Sequence, residues 1–307
     1  MTWKQTIEVY ELLDSAMVSG EAVAALLQKR GLQVEVFPVQ GHKGTTDFVR
    51  AVVPGTESTA PTLGIIGRLG GIGARPSTVG LVSDADGAIT ALACALKLGD
   101  MAHAGDRLSG DVIISTHVCP SAPVIPHDPV PFMGAPVDMA TMNRHEVRPE
   151  MDAILSVDTT RGNRVINRRG VAITPTVKEG YLLKVSADLL RLMSYVTGQL
   201  PAVLPLTTQD ITPYGNTLDH INSIMQPATA TDAPVVGVAL TTETTVPGCA
   251  SGASQVVDIE MAVRFCIEVA KAFGRQACTF YDAKEFDRLV TLYGSMKHLQ
   301  GMGKETC

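Results

Sequence analysis

Four polar side chains stand where apolar runs give out, and their types suit a small-molecule site. Arg68 follows the run 62–67, His117 ends 111–116, Asp158 ends 153–157 and Glu243 lies just past 235–240. A carboxylate can hold a cation or shuttle a proton. An imidazole, with an unperturbed pKa of about 6.5, can act as general base near neutral pH. A guanidinium can clamp a carboxylate or phosphate. Asp84 and Asp86 precede an apolar helix, where acids either complement the helix dipole or belong to a site. Asp158, followed by Thr159 and Thr160, is either a turn or N-cap residue or a site carboxylate.

Three further groupings carry specific chemistry. The stretch Gly67-Arg68-Leu69-Gly70-Gly71-Ile72-Gly73-Ala74-Arg75-Pro76 is either a tight turn in which backbone passes close to backbone, or an anion cradle. In the cradle, N–H groups around Gly70 and Gly71 join Arg68 and Arg75. As a dinucleotide fingerprint the loop is weak, because no acid is clearly placed about 20 residues on. Cys119 and Cys249 each lie past an apolar strand, and two facing thiols are what a cofactor-free racemase needs; the alternative is a pair of buried structural cysteines. His117, Cys119, His127 and Asp128 could ligate zinc, although their spacing matches no standard pattern. Glu243, within Thr-Thr-Glu-Thr-Thr, is a further acid or a surface-loop residue.

Alternating elements must position these groups. Strands are expected over 33–39, 47–53, 62–67, 111–116, 153–157 and 235–240. Ala88, Ala91, Leu92, Ala95 and Leu96 make one apolar helical face. Other helices are expected over 8–30, with a restart at Ser19 or Gly20, and over 180–197, 217–225 and 258–273; 121–137 is Pro-rich and loop-like, and 295–307 a loose tail. Apolar strands alternating with helices predict one α/β domain over 1–307, with a mostly parallel sheet covered by helices on both faces. In such sheets ligands bind at the carboxyl ends of the strands, where Arg68, His117, Asp158 and Glu243 gather.

Bulk properties exclude several roles. The 307 residues carry a net charge of −6, and no basic run exceeds two residues, so nucleic-acid binding has no electrostatic footprint. No apolar run approaches the roughly 18–20 residues that span a bilayer, and the start of the chain has no signal-like core. The expected location is the cytoplasm. Six scattered cysteines without a C-x-x-C pair argue against disulfides and a zinc knuckle.

Taken in order, the segments 39–55, 62–73, 82–98, 111–120, 153–159 and 233–273 resemble the zinc aminopeptidase superfamily, especially its glutamyl aminopeptidase-like branch. The resemblance implies a three-layer phosphorylase/hydrolase-like fold. Asp84, or Asp86, matches the metal-bridging carboxylate, and Asp158 another metal-binding acid. Arg68 stands at the first His position, Gly70 at an Asp position, Thr116-His117 at the paired Glu that supplies the general base, and Ser251 at the last His. The metal site is therefore degenerate, and an arginine there opposes a dication. A metal, zinc or another divalent ion, would rest on Asp84, Asp158 and His117; otherwise no cofactor is implied. The stretches SDADGA and STHVCP also make the chain similar to the bacterial and archaeal family DUF1177, a domain of unknown function.

These readings imply a divergent metallopeptidase-scaffold enzyme acting on a small peptide, amide or amino-acid-like substrate, rather than a usual two-zinc peptidase. His117, Asp86, Glu243, Cys119 and Cys249 are the candidate catalytic groups; Arg68, Gly70, Gly71, Arg75 and Ser251 are the candidate substrate-binding groups. The alternatives are a metal-free two-cysteine racemase or isomerase and a non-catalytic small-ligand-binding protein. The partner is a small molecule, with no nucleic acid and no membrane, and the resemblance admits a homo-oligomer.

Overall fold

Strands alternate with helices along a computed structural model of the chain, which describes residues 2–76, 80–126, 132–244 and 255–303. The elements are α1 (Trp3–Asp14), α2 (Gly20–Gln28), β1 (Gln33–Gly41), β2 (Gly44–Val53), β3 (Leu63–Gly67), β4 (Gly71–Ile72), α3 (Asp86–His103), β5 (Val112–Cys119), β6 (Val124–Ile125), β7 (Phe132–Met133), α4 (Met139–Glu146) and β8 (Ala153–Thr160). Then follow β9 (Gly170–Ile173), β10 (Val177–Lys178), β11 (Tyr181–Leu182), α5 (Ala187–Thr197), β12 (Ala202–Val203), β13 (Val235–Thr241), α6 (Val256–Gly274) and α7 (Ala283–Tyr293).

One sheet runs β1-β2-β5-β3-β8-β13-β10-β11. Its centre, β5-β3-β8-β13, is parallel, and β2, β9 and β10 join it antiparallel. The central strands are apolar on both faces because both are covered. Ile65, Ile114, Leu155 and Val238 point into one core with α1, α3, α5 and α6. Their neighbours Ile66, Ile113, Ile154 and Ala239 point into a second, closed by Ile224 and Met225 of a 3-10 segment, Ser223–Thr229. The fold is the expected three-layer α/β arrangement.

Several elements differ from expectation. The opening stretch restarts at Ser19 as expected, Ser19 capping α2 by accepting from the Ala22 N–H, but its first helix begins earlier, at Trp3. The helix expected over 180–197 starts only at Ala187, capped by Ser186, after the short strand β11. The one expected over 217–225 is the 3-10 segment with Pro227 inside it. The Pro-rich stretch contains the small β6–β7 ladder. Helices α4 and α7 were not foreseen; each starts at an aspartate, Asp138 or Asp282, that accepts a backbone N–H three residues on. The segment after Gly294, expected to be loose, is docked as far as it is described. Leu299 packs against the second core, and Gln300 Nε2 donates to the carbonyls of Ala228 and Thr231, at 3.0 and 2.7 Å.

Among the described residues, no helix is long and apolar enough to cross a membrane.

A cavity at the carboxyl edge with a buried carboxylate

The start of α3 is drawn tightly onto the tips of β3 and β8. A Cβ at Gly87 would run into the carbonyl oxygens of Arg68 and Val157, and one at Gly67 would lie 2.6 Å from the Gly87 oxygen. This glycine-on-glycine approach sets Asp84, in the 3-10 turn Ser83–Ala85, beside the end of β8, where Asp158 stands. Both acids line one cavity of about 770 Å³. Its wall also includes Thr159, Ser223, Tyr214 and His220, an apolar group of Leu69, Val137, Met133, Met139 and Met142, and the hairpin residues His42 and Lys43.

Asp158 is only 2% exposed. Its Oδ2 accepts from Ser223 Oγ at 2.9 Å and its Oδ1 from the Thr159 N–H at 2.7 Å. Burial raises its pKa to about 6; these two hydrogen bonds and the charge of Arg68 offset only part of that rise, and Glu146 adds to it. Tyr214 is pushed up to about 12, chiefly by desolvation and next by the Asp158 charge, so its hydroxyl stays protonated. Its ring meets His220 edge-on at 4.6 Å.

Beneath one wall lies a second polar cluster. Arg68, His117 and Glu146 have no side-chain exposure. Glu146 Oε2 faces Arg68 Nε at 3.0 Å, and its Oε1 faces His117 Nδ1 at 2.9 Å. The guanidinium also donates from Nη2 to Asn143 Oδ1, and its Nη1 lies 2.8 Å from Met139 Sδ and 3.5 Å from Met142 Sδ. Met139, Met142, Asn143 and Glu146 are spaced as one helical face, so the inner side of α4 is seated on a single buried arginine. His117 Nε2 is buried without a hydrogen-bond partner and points at the Gly70 turn, where a Cβ would lie 2.5 Å from it.

The remaining sequence candidates disperse. Arg75 does not join Arg68 in a cradle: its Nη2 donates to the Asp14 carbonyl at 2.6 Å, on the far end of α1. Gly71 pairs with Val118 as part of β4, and Gly70, at φ +103°, makes room for the imidazole; this is the tight-turn reading of the loop. Asp86 is buried and lies 3.5 Å from Arg161 Nη2. Cys119 sits among Ala74, Val82, Ala122 and Met133, and burial pushes its thiol up, which opposes a thiolate role. Glu243 is exposed and lines another cavity, with Arg168, Arg169 and Asp258. Cys249, Ser251, His127 and Asp128 lie outside the described residues.

The described residues do not fit a metal ion at this edge. His117 Nδ1 is engaged by Glu146, which is shared with a guanidinium, and no group of three His, Cys, Asp or Glu side chains among the described residues could hold an ion.

Sequence reasoning missed Glu146, Asn143, Tyr214 and Ser223. Glu146 and Asn143 could have been found through α4, whose Asp138-Met139-Ala140-Thr141 start is an N-cap signal. Tyr214 sits in irregular chain, and Ser223 opens a short 3-10 segment, so no helical or strand period points to either.

The chain is thus a three-layer α/β protein with a carboxylate-bearing cavity at the carboxyl edge of its sheet. Residues 38–303 match DUF1177, described as a protein of unknown function, and the chain belongs to that family. No curated protein matches the chain. Among solved structures it is similar to a mutant of tomato leucine aminopeptidase, at 11% identity and a TM-score of 0.54. That match covers 86% of this chain but only 61% of the tomato enzyme, and at such identity it shows the fold alone.

Proposed function

We propose that this protein is an enzyme acting on a small peptide, amide or amino-acid-like substrate in the carboxyl-edge cavity, with Asp158 moving the proton. The observation that carries the reading is a buried carboxyl, in the wall of a cavity, whose pKa of about 6 lies near working pH. At neutral pH it is mostly ionised and accepts a proton from a substrate or an attacking water; once protonated, it returns that proton to a leaving nitrogen. Ser223 and the Thr159 N–H fix its orientation, and Tyr214, protonated throughout, offers a hydrogen bond to developing negative charge. Nothing in this scheme draws on Cys119 or Glu243.

The reading is tested by incubating wild type and Asp158→Asn with a panel of dipeptides, amino-acid amides and free amino acids in deuterated water, followed by mass spectrometry for hydrolysis and α-proton exchange. Turnover of at least one compound, reduced at least about 100-fold by the substitution, is expected. Turnover that the substitution leaves unchanged would refute the role of Asp158. Ligand-induced thermal stabilisation with no turnover at all would favour a binding protein instead.

A further inference from the structure

The cavity has a second charged end that the acid–base reading does not use. β1 and β2 pair in register up to Gly41 opposite Gly44, leaving a two-residue tip, His42-Lys43. The tip is clamped onto the segment before α4. The Lys43 N–H donates to the Pro136 carbonyl at 3.4 Å, and Gly41 passes so close to that carbonyl that no Cβ would fit. Both tip side chains line the cavity shared by Asp84 and Asp158 and are otherwise exposed. The Lys43 ammonium takes no ion-pair partner among the described residues. The other acid near the tip, Asp138, is occupied as the N-cap of α4 and held low by the Thr141 N–H. One wall of the cavity is thus anionic and buried, another carries an uncommitted cation, and Met133, Met139, Met142 and Val137 supply an adaptable apolar surface.

Resting on the proposed function of the same cavity, we infer that it takes a short peptide with both ends free, dipeptide in size and apolar in side chain: its ammonium meets the Asp84–Asp158 wall and its carboxylate is read by Lys43 and His42. A volume of about 770 Å³ exceeds what one amino acid fills. Capture of a terminal carboxylate is a recurrent mode of peptide recognition. On this account the hairpin tip is the ruler that excludes longer chains and C-terminally blocked ones.

The test is isothermal titration of the full chain with Leu-Leu, Leu-Leu amide and N-acetyl-Leu-Leu, for wild type and Lys43→Met. Lys43 is exposed at a hairpin tip, so the variant is expected to fold, and matched melting temperatures check this. Leu-Leu is expected to bind wild type about tenfold tighter than either blocked form. Lys43→Met should weaken Leu-Leu about tenfold while leaving the amide unchanged. A loss equal for Leu-Leu and its amide, or no loss for either, would overturn the inference and leave the proposed function standing. Binding of none of the three peptides would overturn it too, whereas the proposed function fails if Asp158→Asn leaves turnover intact or if no compound of the panel is turned over.

Discussion

The Glu146 carboxylate sits between the His117 imidazole, 2.9 Å away, and the Arg68 guanidinium, 3.0 Å away, and none of the three side chains meets solvent. The pair Glu146–Arg68 joins α4 to the end of β3, and α4 in turn supplies Met139 and Met142 to the cavity wall. A buried polar contact therefore holds an apolar surface in place.

Breaking that pair from one side should be costly. Glu146→Gln leaves a buried guanidinium without its counter-charge, and a loss of about 3–5 kcal/mol is expected in urea unfolding. Adding Arg68→Met to it should cost much less than the sum of the single changes, since the second change removes the orphaned charge. Additive losses would mean that the two side chains do not interact.

Asp158 should make stability fall as pH rises. Its folded-state pKa, about 6, lies above the usual carboxylate value, so the folded protein holds this proton more tightly than the unfolded chain. The stabilisation from this group is complete below about pH 4 and is lost as pH rises through about 6, a swing of about 3 kcal/mol. Asp158→Asn removes the swing, so the variant should be the more stable protein at pH 7 while losing activity. Parallel stability curves for the two proteins between pH 4 and 7 would contradict this.

Gly70 and Gly198 both have positive φ, but their surroundings differ. A Cβ at Gly70 would lie 2.5 Å from the His117 ring, whereas one at Gly198, which caps α5, meets nothing within 4 Å. Gly198→Ala should cost about 1 kcal/mol for backbone conformation. Gly70→Ala should cost about 1–3 kcal/mol more through overpacking. Thermal or urea unfolding of the two variants checks the difference.

Cys119→Ser should leave turnover within about twofold of wild type and lower stability by about 1–2 kcal/mol, because it puts a hydroxyl into an apolar cluster. Loss of α-proton exchange without loss of stability would revive a thiol mechanism.

The layout of strands and the site's edge could be read from the sequence because buried parallel strands leave uninterrupted apolar runs, and their ends mark where polar side chains collect. Arg68, His117 and Asp158 were found that way. What those residues face could not be read. Arg68 and His117 meet through Glu146, which lies on a helix of only eight residues preceded by a Pro-rich stretch, too short and too polar to show a 3.6-residue period. The cation at the hairpin tip was hidden for a related reason. Residues 42–43 lie about 115 positions from Asp158, and only the antiparallel pairing of β2 with β5 carries them to the same edge. The glycine loop admitted an anion cradle because Arg68 and Arg75 flank its glycines. In the fold Gly70 alone takes positive φ there, and it makes room for the His117 imidazole.

The central claim is a carboxyl at position 158 that titrates near neutrality. Carbon-detected NMR titration of the aspartate side chains, comparing wild type with Asp158→Asn, measures it without knowledge of the substrate. A carboxyl resonance with a midpoint of about 6, absent from the variant, is expected; if the resonance lost in the variant titrates at about 4, the ordinary aspartate value, the acid–base account is contradicted.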